Sequence, residues 1–337
     1  MTNHIAMRAI AIHEPGGPDV LRPVEVARPV PAAGEVLIRI AAAGVNGPDI
    51  SQREGRYAPP PDASPLPGLE VSGVIEAAGN DVTAFAPGDA VVALTNGGAY
   101  AEYVTVPAGQ VLPKPENWSW IEAAAIPETF FTIQQTLVER AGLAEGKTVL
   151  VHGGAGGIGA TAIQMTRLFG GTAIATVSTA AKADYARRMG AGATINYRDE
   201  DFVERTRELT GGRGADIVID IVGGSYTNRN LKAAAREGHI LQLAIREGAT
   251  SEVNMGLILM KALTVSGSTL RPKSSADKAR YAAALEKTVW PAIADGRIYP
   301  PRTRSFPLES AADAHRAMEA PDHYGKIVLV TEFGAAL

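Results

Sequence analysis

Short apolar runs separated by turn residues occupy the first third of the chain. Glycine, proline, asparagine and aspartate interrupt these runs, for example at 87–89 and 96–98, and this punctuation is typical of a compact β-rich domain. The proline-rich segment 53–68 fits neither a helix nor a central strand. The predicted strands are 7–13, 35–42, 71–77, 90–94 and 100–106.

After about residue 116 the pattern changes, and two helical stretches at 119–126 and 129–140 lead into a regular alternation of strands and helices. Six apolar runs with helices between most of them predict an α/β domain with an open, doubly wound parallel six-stranded sheet of the Rossmann type. The predicted strands are 148–151, 172–177, 193–196, 216–221, 239–244 and 263–266, and the helices between them are 158–169, 180–189, 200–209 and 226–235.

The tail after about residue 268 does not continue this alternation. It contains helical patterns at 276–290 and 310–318 and a short apolar strand at 326–330. A segment of this size has little core of its own, so we expect it to pack against the N-terminal domain.

Composition narrows the functional classes. The chain has 337 residues, of which 46% are hydrophobic and 20% charged, and a chain of this length is expected to form two folded units. Its formal net charge of -4 argues against nucleic-acid binding. The absence of cysteine excludes disulfides and thiolate ligands and suits a reducing compartment. Because neither a signal peptide nor a long apolar span is recognisable, a soluble cytoplasmic enzyme is expected.

A glycine-rich loop is the strongest motif. The segment 149–159 follows an apolar strand and opens a helix, and Gly154, Gly156 and Gly159 have the G-x-G-x-x-G spacing of dinucleotide-binding sites. Tight turns and free N–H groups at a helix N-terminus favour a pyrophosphate there. The residues expected to contact it are Gly153, Gly154, Gly156, Gly157 and Ile158.

The end of the next strand selects between cofactors. NAD-preferring sites usually carry an acid about 20 residues after the loop, but here the strand ends in Ser178 and is followed by Lys182. A hydroxyl and an ammonium group bind the 2′-phosphate of NADP, whereas a carboxylate would repel it. NADPH is therefore the predicted cofactor.

These motifs together resemble the zinc-independent medium-chain dehydrogenase/reductase family, in its quinone oxidoreductase (zeta-crystallin-like) branch and the subgroup related to a tumour-suppressor-inducible NAD(P)H quinone oxidoreductase. The resemblance covers essentially the whole chain. Matching stretches are 44–46, 49, 55–57, 68–73, 88–89, 100–103, 153–159, 195–197, 211–214, 267–271 and 325–329.

The resemblance implies a GroES-like catalytic domain at 1–127, completed by 269–337, with the Rossmann domain at 128–268 inserted. It also implies further cofactor contacts, which are Thr132, Tyr197, Leu243, Ala244, Ile245, Ser268, Thr269, Leu270 and Lys326. Relatives are commonly dimers or tetramers joined through their Rossmann sheets, and the strand 263–266 is a candidate edge for a homodimer or homotetramer.

Zinc-dependent members of the family hold catalytic zinc with a Cys, a His and a second Cys. The matching positions in this chain are Asn46, Leu69 and Glu128, and because leucine offers no ligand atom, no metal is expected. The candidate catalytic residues are instead Asn46 and Tyr57, as hydrogen-bond donors to the acceptor's oxygen, and Asp49, which is expected to orient its neighbours.

The expected activity is transfer of hydride from NADPH to a quinone or an α,β-unsaturated carbonyl compound. An enoyl-thioester reductase stays open as an alternative, and so does a non-catalytic NADPH sensor or structural protein. The chain departs from its subgroup at Gly156, Ala160, Gln134 and Pro321, where Ser, Thr, Trp and Asn are usual. The first two departures remove hydroxyl groups near the phosphates.

Overall fold

The computed structural model describes residues 5–337. Its strands are β1 (Ala6–Ile12), β2 (Leu21–Ala27), β3 (Glu35–Val45), β4 (Glu70–Ala78), β5 (Ala90–Leu94), β6 (Tyr103–Pro107), β7 (Val111–Pro113), β8 (Thr148–Val151), β9 (Thr172–Val177), β10 (Ala193–Asn196), β11 (Ala215–Asp220), β12 (Ala234–Gln242), β13 (Thr264–Gly267), β14 (Thr303–Pro307) and β15 (Lys326–Val330). Its helices are α1 (Gly47–Arg53), α2 (Trp120–Ala123), α3 (Pro127–Ile133), α4 (Gly157–Leu168), α5 (Ala180–Arg188), α6 (Phe202–Leu209), α7 (Tyr226–Ala233), α8 (Met255–Lys261), α9 (Ser275–Ala294), α10 (Ala311–Glu319) and α11 (Glu332–Ala335).

The chain divides into two compact units. Unit 1 contains the described residues up to Phe131 together with Arg271–Asp295 and Pro300–Leu337, and unit 2 contains Thr132–Leu270 and Gly296–Tyr299. The α/β class predicted from the sequence is confirmed, with a GroES-like β-rich part and a Rossmann-type sheet. Within the described part of the chain, no helix is long and apolar enough to cross a membrane.

Unit 1 is built on a seven-stranded sheet in the order β14-β15-β3-β4-β5-β7, with β6 also paired to β3. The antiparallel registers place Ile327 opposite Val45 and Val71 opposite Ala43. The first residues of β15 and β4, Lys326 and Glu70, therefore lie on either side of the end of β3. A core of buried aliphatic side chains from these strands and α10 fixes this register.

Unit 2 is a six-stranded parallel sheet in the order β10-β9-β8-β11-β12-β13. All four residues of β8 are buried, as expected for a central strand covered on both faces. Because the strands are parallel, the loops after β8, β9, β10, β12 and β13 all leave the same edge of the sheet, which is where open α/β sheets bind ligands.

Three of the strands were not predicted from the sequence. The segment β2 contains Pro23, which lacks an N–H, and it forms only a two-stranded sheet with β1, where proline is tolerated. The short strand β7 and the polar strand β14 lie at the two ends of the sheet order. The predicted helix 119–126 is shorter than expected, because α2 ends at Ala123.

Candidate functional site

The glycine loop of unit 2 turns tightly between β8 and α4. Gly153 has φ +66°, a conformation that favours glycine. A Cβ atom on Gly159 would lie 2.3 Å from the carbonyl oxygen of Gly153, and one on Gly154 would lie 2.5 Å from Cβ of Ala175. Neither position has room for a side chain.

The first turn of α4 leaves N–H groups available. Its N-cap, Gly156, has no side chain that accepts from them, so the N–H groups of Gly157 and Ile158 keep their capacity for a ligand. The arrangement fits the pyrophosphate of a dinucleotide, which such a helix end stabilises. At Gly156 itself a Cβ would meet nothing closer than 3.5 Å, so there is room for a side chain. The loop does not require glycine at this position, and glycine in place of the usual serine removes one hydroxyl group.

A buried polar chain lies directly below this loop. His152 is fully buried, with Nδ1 3.0 Å from Oγ1 of Thr176 and Nε2 2.8 Å from Oδ1 of Asn230. Asn230 donates in turn to Asp220 over 2.9 Å. Burial lowers the pKa of His152 to about 4, so the ring is neutral. Because Oδ1 of Asn230 only accepts, Nε2 carries the proton and Nδ1 accepts from Thr176.

The predicted 2′-phosphate residues follow two adjacent strands. Ser178 is buried directly after β9, and the backbone N–H of Tyr197 donates to the carbonyl of Val177 over 3.1 Å, which brings Tyr197 beside the end of β9. The Tyr197 side chain is 42% exposed. Thr179 caps α5 by accepting from the backbone N–H of Lys182, so Lys182 lies in the first turn of that helix.

The remaining predicted cofactor residues of unit 2 follow β12 and β13. The N–H of Leu243 donates to the carbonyl of Asp220 over 2.8 Å, and the N–H of Ser268 donates to the carbonyl of Gln242 over 3.3 Å. The Ser268 hydroxyl accepts from the Gln135 amide over 2.5 Å. The other residues that follow these two strands are Ala244, Ile245, Thr269 and Leu270, and Ile245 is 50% exposed. The remaining predicted contact, Thr132, is the exception, because it lies in α3.

In unit 1, Asp49 organises the turn at the start of α1. It is fully buried, and its two carboxylate oxygens accept from the N–H of Asn46 over 2.8 Å and from the N–H of Gly68 over 2.9 Å. Burial raises the pKa of Asp49 to about 6, against the two N–H donors, which lower it. The geometry is that of a capping residue that fixes two loops.

Asn46, Glu70 and Lys326 form a buried polar triad. The Lys326 ammonium lies 2.5 Å from Oε1 of Glu70 and 2.5 Å from Oδ1 of Asn46, and the Asn46 amide donates to the same Glu70 oxygen over 2.8 Å. The side chains of Lys326 and Glu70 are 4% and 0% exposed. A Cβ on Gly44 would lie 2.0 Å from Glu70 Oε1, which explains the glycine in this part of β3.

Lys326 thus lies in unit 1, and the two acceptors nearest to its ammonium group are the triad residues Glu70 and Asn46. Its predicted contact with the cofactor stays a prediction. The Asn46 amide keeps one N–H beyond the bond to Glu70, so its predicted role as a donor is compatible with the geometry.

Glu128 lies at the start of α3, next to the triad. Its backbone N–H donates to Oε2 of Glu70 over 2.9 Å. Burial raises the pKa of its carboxyl group to about 8, and the negative charges of Glu70 and Asp49 raise it further against the positive charge of Lys326. This pKa means that Glu128 holds a proton at neutral pH.

Tyr57 lies beyond α1 and is half-buried next to a second cationic group. The Arg271 guanidinium is 5.7 Å from the centre of its ring and donates to Gln52 and to the carbonyl of Asn96. Lys278 is buried and donates to the carbonyl of Arg271 over 2.8 Å. Burial raises the pKa of Tyr57, and Glu128 raises it further, so the hydroxyl keeps its proton.

The residues that match zinc ligands in other family members do not form a zinc site. Leu69 offers no ligand atom, and the side chain of Asn46 is bonded to Lys326 and Glu70. Among residues 5–337 no group of three or more His, Cys, Asp or Glu side chains is arranged to hold a metal ion. The donor set therefore does not fit zinc.

Comparison with known proteins gives consistent matches. Residues 32–116 match the alcohol dehydrogenase GroES-like domain, and residues 157–288 match the family described as zinc-binding dehydrogenase. Human quinone oxidoreductase is 31% identical over 332 residues, which cover 98% of this chain and 99% of that protein. The chain belongs to the quinone oxidoreductase branch of the medium-chain dehydrogenase/reductase family.

Solved structures of quinone oxidoreductases agree closely with this fold. The enzyme from Pseudomonas syringae pv. Tomato DC3000 has a TM-score of 0.86 at 30% identity, covering 96% of this chain and 99% of that one. The Escherichia coli quinone oxidoreductase, solved as a complex with NADPH, has a TM-score of 0.84 at 31% identity with the same coverage.

Four polar residues of the site were not among the sequence predictions as functional groups. These are Glu70, Glu128, Arg271 and Lys278. Lys278 carries a recognisable signal, because it occupies the apolar stripe of α9 with Tyr281, Leu285 and Val289, where a lysine needs buried acceptors.

Proposed function

We propose that this protein is an NADPH-dependent reductase that transfers hydride to a quinone or an α,β-unsaturated carbonyl compound without a zinc ion. The observation that carries the proposal is the tight glycine loop, which has no room for a side chain at Gly154 or Gly159. It occurs in a chain that belongs to the quinone oxidoreductase branch. Asn46 and Leu69 do not form a donor set that fits zinc, which supports hydride transfer without a zinc ion.

In this proposal unit 2 holds the cofactor. The loop 153–159 binds the pyrophosphate through backbone N–H groups, and Ser178, Lys182 and Tyr197 bind the 2′-phosphate. The segments 243–245 and 268–270, with Thr132, line the nicotinamide side. Bound NADPH supplies a hydride from C4 of its nicotinamide.

Unit 1 supplies the groups that act on the acceptor. The Tyr57 hydroxyl and the free N–H of Asn46 donate hydrogen bonds to the acceptor's oxygen, which becomes negative as hydride arrives. Asp49 does not touch the acceptor in this proposal. It holds the turn that carries Asn46, because both of its oxygens are bonded to backbone N–H groups.

The test measures NADPH and NADH oxidation with ortho-quinones, para-quinones, a simple enone and crotonyl-CoA. We expect NADPH to be oxidised faster than NADH, with quinones or the enone as acceptors. Turnover with crotonyl-CoA alone would favour the enoyl-thioester reductase. Binding of NADPH without turnover of any acceptor would favour the sensor and refute the proposal.

We further propose that two or four copies associate through the free edge of the six-stranded sheet. Among the described strands, the edge strand β13 pairs only with β12, and Val265 on it is 49% exposed. Met255, Leu259 and Met260 of α8 are 66%, 82% and 75% exposed, an apolar surface typical of a subunit contact. Light scattering at micromolar concentration tests this, and a monomeric mass would refute it.

The cytoplasmic location expected from the sequence stays a prediction.

A further inference from the structure

Thr176 of β9 links the glycine loop of unit 2 to the buried histidine below it. Its hydroxyl oxygen accepts from the backbone N–H of Gly153 over 3.4 Å and lies 3.0 Å from Nδ1 of His152. Because this Nδ1 carries no proton, the hydroxyl of Thr176 donates to it and keeps a lone pair for Gly153. The carbonyl of Thr176 also accepts from the N–H of Gly154 over 3.0 Å. One residue of β9 therefore contacts two successive residues of the loop.

The same chain of hydrogen bonds continues from the histidine to the loop after β11. Nε2 of His152 donates to Asn230, whose amide donates to Oδ2 of Asp220. Oδ1 of Asp220 accepts from the N–H groups of Val222 and Gly223 over 2.6 and 3.0 Å. The side chains of His152, Asn230 and Asp220 are buried, and each of them is bonded on both sides. A buried network in which every member has its partners holds the attached backbone rigidly.

Two aromatic side chains hold the His152 ring in this orientation. The ring of Phe202 lies 4.7 Å from it at 71°, and the ring of Tyr226 lies 4.9 Å from it at 80°, both in edge-to-face geometry. The rings of Phe202 and Tyr226 also stack on each other at 5.0 Å. Packing against two rings opposes rotation of the imidazole. The surroundings of His152 therefore fix its orientation and its tautomer before any ligand binds.

We propose that Thr176 and His152 are positioning residues for cofactor binding, because they fix the glycine loop in its binding conformation before the cofactor arrives. The inference rests on the proposed function, in which this loop binds the pyrophosphate. Gly153 has φ +66°, and its carbonyl accepts from the N–H of Gly156 over 3.0 Å. The conformation of Gly153 therefore sets the direction of the first turn of α4. A loop that is ordered in advance loses less conformational freedom on binding, which raises the affinity.

The tests compare two variants that each remove one buried hydroxyl group from unit 2. Thr176→Val keeps the shape of the side chain and removes the bonds to His152 and Gly153. The control Thr166→Val removes the hydroxyl of another buried threonine, but that hydroxyl donates to the carbonyl of Ala162 within α4. Both variants are expected to fold, because valine has the shape of threonine. Urea unfolding measures how much stability each of them has lost.

Histidine NMR tests the hydrogen bonds without any cofactor. In the protein labelled with ¹⁵N histidine, His152 should be neutral with its proton on Nε2. Its signal is identified as the one whose Nδ1 shift changes in Thr176→Val and stays constant in Thr166→Val. If no histidine signal responds to Thr176→Val, or if the responding ring carries its proton on Nδ1, the inference is wrong.

Calorimetry tests the effect on the cofactor. Thr176→Val should weaken the binding of NADPH and of NADH by the same factor, about tenfold, because both cofactors carry the pyrophosphate. Thr166→Val should bind both like wild type, and Thr176→Ser, which keeps the hydroxyl group, should restore the affinity. In quinone reduction by Thr176→Val, the KM for NADPH should rise about tenfold while kcat at saturating NADPH stays unchanged.

The outcomes separate this inference from the proposed function. Equal dissociation constants for Thr176→Val and Thr166→Val would overturn the inference, because the lost hydroxyl would then matter for stability alone. A loss confined to NADPH would also overturn it, since Thr176 would then act through Ser178 on the 2′-phosphate. If wild type binds NADPH and the tenfold loss is found but no acceptor is reduced, the proposed hydride transfer fails and the positioning of the loop is supported. If wild type binds neither cofactor, both fail.

Discussion

The ion pair between Lys326 and Glu70 supports a quantitative prediction about unit 1. The two charged atoms are 2.5 Å apart in side chains that are 4% and 0% exposed. Replacing Lys326 with Met keeps most of the aliphatic volume and removes the charge. The Glu70 carboxylate then stays buried with only the amide of Asn46 and the N–H of Glu128 as partners.

Removing one partner of a buried ion pair typically costs about 3–5 kcal/mol, because the remaining charge has no compensation. We expect a loss of this size in Lys326→Met. At a typical urea dependence of about 3 kcal/mol per molar for a unit of this size, the unfolding midpoint should fall by about 1 M or more. The double variant Lys326→Met/Glu70→Gln should recover part of this loss, because it leaves no buried charge.

Tryptophan fluorescence is the appropriate assay. The chain has 3 tryptophans, and Trp118, Trp120 and Trp290 all belong to unit 1, so the signal follows the unit in which the ion pair lies. The matched control is Glu76→Gln, which removes an acid from the same strand β4. Its bridge to Arg28 joins side chains that are 35% and 19% exposed, and such pairs contribute about 0.2–1 kcal/mol. If Lys326→Met shifts the midpoint no more than Glu76→Gln, the reasoning from burial is refuted.

Three further predictions concern the proposed function. Lys182→Ala should weaken NADPH binding more than tenfold in calorimetry and leave NADH binding nearly unchanged, since only NADPH carries the 2′-phosphate; equal losses would show that Lys182 does not bind it. Gly159→Ala should abolish binding of both cofactors, because its Cβ would lie 2.3 Å from the carbonyl of Gly153, whereas Gly17→Ala, with no atom within 4 Å of its Cβ, should bind like wild type. Tyr57→Phe should lower kcat/KM for quinones about tenfold to 100-fold at an unchanged NADPH dissociation constant, and an unchanged rate would remove Tyr57 from the mechanism.

The parallel sheet could be predicted because its strands are continuous apolar runs with helices between them. Residues 148–151 and 172–177 were predicted with the bounds of β8 and β9, and the tail strand with those of β15. Burial on both faces makes such strands visible in one sequence. The strand β2 could not be found in this way, since Pro23 and two charged residues interrupt its pattern, and within residues 5–337 it pairs with β1 alone.

Part of the candidate site could be predicted, namely the part whose residues are close together in the sequence. The glycine loop depends on residues close in sequence and was predicted as a motif, whereas Asn46 and Asp49 were named from the resemblance to the family. Lys326 and Glu70 are 256 positions apart, and only the pairing of β15 and β4 with β3 brings them together. Lysine is usually solvated, so one sequence gives no reason to pair this lysine with a buried glutamate.

The triad also bears on which acceptors suit the enzyme. Lys326 is 4% exposed and bonded to Glu70 and Asn46, so its charge is used within the protein and does not stabilise an acceptor's oxygen. In the proposed function that oxygen is left with the hydrogen bonds of neutral donors such as Tyr57. Hydride addition to an isolated ketone produces an alkoxide, whose conjugate acid has a pKa close to that of water, about 16, whereas a reduced quinone is a phenolate with a conjugate acid near 10. The difference of about 6 pKa units corresponds to about 8 kcal/mol of charge stabilisation, which is more than neutral hydrogen bonds supply. A site with this set of donors therefore favours quinones and enones, whose products spread the negative charge, over simple ketones.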